Sequence, residues 1–153
     1  RMESSSLVGR RLAGTRMCLC ASPAYLASLP EVLRLDDLAE HGVLAYTNFA
    51  SGNDWLFQGP SGPESVRTRS VVRCNNGDTC RSIALGGGIS LQPSFMVAED
   101  LRAGDLVEVL PEYRSIQLGI YVVYPSRKHL PPKVRVLVNF LVERFAQPCW
   151  EVG

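Results

Sequence analysis

Arg16-Met17-Cys18-Leu19-Cys20-Ala21-Ser22-Pro23-Ala24-Tyr25-Leu26 is the stretch on which the reading of this chain turns. Arg16–Ala21 is a short apolar run closed by a polar residue, the pattern of a buried strand. Ser22 then supplies a side-chain oxygen to cap a helix, and Pro23 occupies the first helical position, where a missing N–H costs nothing. A buried strand feeding directly into a capped helix is the repeating unit of α/β folds. Cys18 and Cys20 alternate along the strand, so they share one face as small hydrophobes.

Outward from this unit the same alternation continues. The helix runs to about Leu29 and stops at Pro30, and a second short helix fits Asp36–His41, with Asp36 near its cap and Gly42 as its stop. Val43–Tyr46, Trp55–Gln58 and Val66–Arg73 read as strands. Thr47–Asp54 is a polar turn after the first of these, and Gly59-Pro60-Ser61-Gly62-Pro63 is turn chemistry between the other two. Asn75-Asn76-Gly77-Asp78 breaks the pattern and caps a helix to about Leu85, ended by Gly86-Gly87-Gly88. Ile89–Leu91, a helix at Ser94–Leu101 with Gly104 as stop, Leu106–Leu110 and Ile116–Tyr124 follow. Pro131-Pro132 opens a last helix through Phe145, in which Val134, Leu137, Val138, Leu141, Val142 and Phe145 recur at helical spacing. The expected fold is α/β, a mixed sheet flanked by helices.

Composition narrows the function classes. The 153 residues are 46% hydrophobic and 20% charged, with a formal net charge of +1. That is ordinary for a globular domain and lacks the concentrated basic face of a nucleic-acid-binding surface. Arg10, Arg11 and Arg16 are diluted by apolar neighbours and read as a solvated strand edge. The five cysteines contain no Cys-x-x-Cys pair, and His41 and His129 lie away from them, so no metal site and no cofactor is expected. Free thiols fit a reducing cytoplasm. No apolar run is long enough for a membrane span, and the N-terminal residues show no signal-peptide pattern. Catalytic readings fail on spacing: Ser22 lacks a nucleophile elbow and is explained as a cap, neither histidine has an acid partner, and the three glycines lack the Lys-Ser/Thr of a phosphate loop. No enzyme activity is expected. Trp55 and Trp150 read as core and tail residues.

Several segments together resemble the LysR-type transcription regulators of bacteria. Leu19–Leu26 is similar to the family's LCASPAYL stretch, and Asp37-Leu38-Ala39-Glu40-His41 to its DLxxH segment. Asn76-Gly77-Asp78, then Gly86-x-Gly88-Ile89 and Pro93, resembles its loop, helix and GxGIxxxP strand. Val122–Arg127, Leu130, Pro132–Arg135 and Phe140-Leu141 look like its VYPSRRHLSPKVRAFVDFL ending, and Ser5–Leu12 fits the segment before LCASPAYL. Order and spacing agree from about Arg1 to Phe145. Two departures stand near the presumed cleft: a shorter, glycine-rich end to the helix after Asp78, and Gln92 where an aliphatic residue is commoner.

The resemblance implies a periplasmic-binding-protein type II-like fold of two lobes, with an effector cleft between them and a separate N-terminal winged helix-turn-helix for DNA. Residues 1–7 would be the first crossover, 8–124 the second lobe, 125–130 the return crossover and 131–153 the last helix and tail, which normally packs on the first lobe. The full protein is therefore expected to be longer. The implied function is sensing of a small-molecule effector, such as a carboxylate, by a homo-oligomeric regulator. A solute-binding protein serving a transporter is the alternative on the same fold.

Two loops are the expected walls of the cleft, because ligands in such folds meet helix N-termini whose free N–H groups favour anions. One is Asn75, Asn76, Gly77 and Asp78; the other is Thr47, Asn48 and Phe49. Taken without the resemblance, the first is an ordinary turn and cap, with Asp78 a candidate cap residue, and the second a plain surface turn.

Overall fold

In the computed structural model, which describes residues 7–29, 34–47, 52–125 and 130–150, the strand expected at Arg16–Ala21 begins already at Leu7. This strand, β1 (Leu7–Ala21), has two lives. Its first part, Leu7–Arg16, pairs antiparallel with β8 (Gln117–Pro125), with an irregularity between Arg11 and Ala13. Its second part, Met17–Cys20, pairs antiparallel with β6 (Ile89–Pro93), and its last two residues pair with β7 (Val107–Glu108). Side chains are exposed through Arg11 and mostly buried from Ala13 onward, so only the second part was legible as an apolar run. No break in the strand falls between Leu7 and Val8.

The remaining core strands are β2 (Gly42–Tyr46) and β5 (Arg69–Cys74), giving the order β5-β2-β6-β1-β7 with β8 attached to β1. Strands β5, β2 and β6 run parallel to one another, and β1 runs against them. The sheet is mixed, as expected. The expected strand Val66–Arg73 is in fact two strands in two sheets. β3 (Asp54–Gly59) and β4 (Gly62–Arg67) form a separate hairpin, and Thr68 separates β4 from β5. The Thr68 backbone N–H and hydroxyl both donate to the Asn53 carbonyl, at 2.9 and 3.0 Å, which holds the chain at the point where it changes sheets.

Helices cover the sheet: α1 (Pro23–Ala27), a short 3₁₀ helix at Leu35–Ala39, α2 (Gly77–Gly87), α3 (Ser94–Ala103) and α4 (Pro132–Arg144). Ser22 caps α1 as expected, its Oγ accepting from the Tyr25 N–H at 3.3 Å. The element expected at Asp36–His41 is a 3₁₀ turn with Arg34 at its cap position, because the Asp37 carboxylate accepts from the Arg34 N–H at 3.0 Å. Gly104 ends α3 with φ 81°, a left-handed conformation that costs glycine little.

The two faces of β1 define two cores. Met17, Leu19 and Ala21 point into one with Leu35, Leu38, Val43, Trp55 and Phe57. Cys18 and Cys20 point into the other with Leu44, Ala84, Val97 and Leu106, under α2 and α3. The alternating cysteines are thus buried on one face, where burial pushes their thiols up to about 11 and about 12.

α4 forms where it was expected, with most of its apolar residues left uncovered. Of its apolar stripe only Val138 is buried, Leu137 is exposed, and Val136 and Phe140 beside it are exposed as well. The tail compensates locally: Trp150 packs edge-on against Phe95 and Phe145 and donates its indole N–H to the Gly14 carbonyl at 3.0 Å.

Candidate functional site

Three parallel strands end side by side, β2 at Tyr46, β5 at Cys74 and β6 at Pro93, and two helices begin there, α2 at Gly77 and α3 at Ser94. In open α/β sheets the crevice beyond the carboxyl ends of parallel strands is where ligands lie, because helix N-termini turn their unpaired N–H groups toward it. A cavity of about 160 Å³ occupies this position, lined by Tyr46, Gly77, Gln92, Phe95, Met96 and Leu118, with Leu91 and Pro93 completing it. Its walls are largely apolar. The buried polar group is Gln92, whose Nε2 donates to the Ser90 hydroxyl at 2.8 Å.

The two expected loops meet here in part. The Thr47 N–H donates to the Cys74 carbonyl at 2.9 Å, tying the end of β2 to the residue before Asn75. Asn48 and Phe49 lie outside the described residues. Asn76 is the cap of α2, its Oδ1 accepting from the Thr79 N–H at 3.0 Å and from the Thr79 hydroxyl at 3.4 Å. Asp78 is therefore not the cap. It sits one residue inside the helix, where its charge complements the dipole. It lines a neighbouring hollow with Arg81, Phe95, Met96, Glu99 and Trp150. Asn75 is exposed. Gly77 alone of the four lines the cavity. A Cβ there would come within 2.6 Å of the Met96 sulfur, so its lack of a side chain keeps the cavity open.

Sequence reasoning missed Tyr46, Phe95, Met96 and Leu118, which come from three different elements, β2, α3 and β8. Gln92 was noticed as a departure without being placed in the site. A polar residue inside an otherwise apolar strand was the available signal.

Two of the larger hollows carry less chemistry. One of about 300 Å³, lined in part by Arg114, holds an ion pair in which the Arg16 guanidinium grips the Glu108 carboxylate through both nitrogens, one contact at 3.0 Å. The other, beside Asp78, is lined by Arg81, whose guanidinium is already forked onto Asp100. Among the described residues no three His, Cys, Asp or Glu side chains come together as a metal site, and no helix is long and apolar enough to cross a membrane.

Comparison with known proteins agrees with this architecture. The family model for the LysR substrate binding domain matches residues 1–146. An HTH-type transcriptional regulator of Haemophilus influenzae is 37% identical over 141 residues, covering 91% of this chain and 49% of the relative. The HTH-type transcriptional regulator PtxR of Pseudomonas aeruginosa is 35% identical over 146 residues, covering 95% and 47%. The chain spans about half the length of the curated relatives it matches. Among solved structures, the regulatory domain of CrgA, a LysR-type transcriptional regulator of Neisseria meningitidis, superposes with a TM-score of 0.84 at 31% identity, covering 95% of this chain and 72% of that one. The mixed sheet with its helices is thus the periplasmic-binding-protein type II-like fold of these regulatory domains, and the relatives are transcription regulators, not transporter solute-binding proteins. On the match of residues 1–146, this chain belongs to the LysR substrate binding domain family.

Proposed function

We propose that this domain senses a small-molecule effector for a DNA-binding regulator, and that the effector carries a carboxylate on an apolar body. The observation that supports this most is the cavity at the carboxyl ends of β5, β2 and β6. The first N–H groups of α2, at Gly77 and Asp78, have no intrahelical acceptor and suit an anionic group. The Tyr46, Phe95, Met96 and Leu118 walls suit an apolar one. In this reading Thr47, Asn48, Phe49, Asn75, Asn76, Gly77 and Asp78 are the proposed effector-contacting residues.

At about 160 Å³ the cavity is smaller than the roughly 300–1,000 Å³ of complete ligand sites, in keeping with one wall of a larger cleft. In this reading residues 8–124 are the second lobe, 1–7 and 125–130 are crossovers, and a first lobe and DNA-binding domain belong to the remainder of the full protein. The exposed Val136, Leu137 and Phe140 of α4 fit a helix that returns to that first lobe, since a contiguous apolar face is a contact surface by default. DNA contact resides outside this domain, the regulator is homo-oligomeric, and it works in the cytoplasm. The site binds without turnover, and the effector acts through different affinities for two conformations.

A thermal-shift screen of small carboxylic acids, each paired with its neutral amide, tests the reading. A concentration-dependent rise in melting temperature with an acid and not with its amide supports it. Equal shifts for acid and amide, on this chain and on the full-length regulator, reject the anionic effector.

A further inference from the structure

We propose that Cys74 and Cys80 are an oxidation site, a dithiol that a hydroperoxide converts to an intrachain disulfide closing the loop Asn75–Thr79. Their sulfurs lie 2.8 Å apart. A disulfide bond is about 2.05 Å long, so closure needs a sub-ångström approach of two atoms already inside van der Waals contact. Cys74 is the last residue of β5, Cys80 is in the first turn of α2, and the strand end and helix start hold them face to face across the Asn76 cap.

The two thiols are not equivalent. Cys74 is partly exposed, with its Sγ 3.7 Å from the Asn76 carbonyl, and is the one a solvent-borne oxidant reaches. Cys80 is fully buried, and burial together with the neighbouring Cys74 sulfur pushes its thiol up to about 12. Cys80 is therefore the resolving partner. The remaining cysteines offer no competing pair. Cys18 and Cys20 are buried, neighbouring residues on one strand face, and Cys149 is exposed on the tail.

The chemistry closes with a hydroperoxide as sole oxidant. The Cys74 thiolate attacks the terminal peroxide oxygen, the O–O bond breaks and an alcohol leaves, giving Cys74 sulfenic acid. The Cys80 sulfur attacks the Cys74 sulfur, the S–O bond breaks, the S–S bond forms, and the hydroxyl departs as water with the Cys80 proton. Each sulfur loses one electron, and the peroxide gains two. The ring so formed encloses the Asn75–Thr79 loop and rigidifies the α2 start. Any consequence for effector binding rests on the effector reading above, whereas the bond itself does not.

The test is chemical and needs no effector. Trypsin cuts after Arg73 and Arg81, so both cysteines leave in the single peptide Cys74–Arg81. The reduced protein is treated with hydrogen peroxide, quenched, unfolded, alkylated and digested. The expected product is that peptide without alkyl groups and lighter by two hydrogens than the reduced form, regaining both thiols with dithiothreitol. Two of the five thiols are then lost. In Cys80→Ala the expectation is a Cys74 that stops at sulfenic acid, trapped by dimedone. Three results overturn the proposal: a Cys74–Arg81 peptide still doubly alkylated after peroxide, Cys74 carrying oxygen instead of a bond in the unaltered protein, or a disulfide mapped to any other pair.

Discussion

Arg81 on α2 and Asp100 on α3 form a two-point fork, Nε to Oδ2 and Nη2 to Oδ1, both at 2.6 Å. The side chains are unequally placed, Arg81 at 33% exposure and Asp100 at 7%. The fork fixes the mutual position of the two helices whose N-termini open on the cavity. Removing the arginine leaves a buried carboxylate without its partner, while removing the aspartate leaves a guanidinium that water can reach. Arg81→Ala is expected to cost about 3 kcal/mol and Asp100→Ala about 2 kcal/mol, an order set by which charge is stranded. Urea unfolding of both variants measures this, and a larger loss for Asp100→Ala contradicts it.

Gly77 and Met96 share one space. A methyl group at Gly77 would meet Met96 Sδ at 2.6 Å and Cε at 2.8 Å, so the thioether that lines the cavity must shift. Gly77→Ala is expected to lower stability by about 1 kcal/mol by overpacking and to abolish any effector-induced thermal shift. Met96→Ala in the same chain relieves the contact. A double-mutant cycle should therefore show coupling of at least ~0.5 kcal/mol between the two sites, and additive losses would disprove the shared space.

Alkaline pH is expected to destabilise the domain through its buried thiols. Cys18 is raised from 9.0 to about 11, and Cys20 to about 12, chiefly by burial. A raised thiol keeps its proton in the folded state after the unfolded chain has released it. Stability is then intact below 9.0 and falls as pH climbs toward the folded values. Urea midpoints measured in steps above neutrality should decline, and Cys18→Ala should shallow the slope. A midpoint independent of pH over that window removes the basis for this expectation.

The outer face of α4 is expected to contribute almost nothing to the stability of this chain. Leu137 and Phe140 are 54% and 59% exposed, so Leu137→Ser and Phe140→Ser should each change unfolding free energy by less than about 0.5 kcal/mol. In the full-length regulator the same substitutions should cost roughly 2 kcal/mol if a first lobe covers them. Equal effects in the two contexts would show that the face stays open.

Read alone, the sequence carried the elements whose information is local. The Ser22-Pro23 cap, the Gly104 stop, the alternation of Cys18 and Cys20 and the turn at Pro60-Ser61 depend on a few neighbouring residues, and each took its expected form. The repeated strand–helix pattern was enough for the α/β class, and motifs held in register were enough for the family. What sequence could not decide are relations between distant residues. Val66–Arg73 has the composition of one strand, and only the pairing partners of its two halves, β3 and β2, divide it. The early part of β1 hides from a search for buried runs because its stability comes from backbone pairing with β8, more than a hundred residues later in the chain. Asn76 prevailed over Asp78 as cap because the register of α2 places Thr79 against it. The cavity joins Tyr46, Gly77, Gln92, Phe95 and Leu118, residues from five elements whose spacing in sequence has no period. The Cys74–Cys80 contact likewise follows from where a strand ends and a helix begins. Local conformational preference is written residue by residue, whereas register and the convergence of chain ends are settled only when the whole sheet buries its faces together.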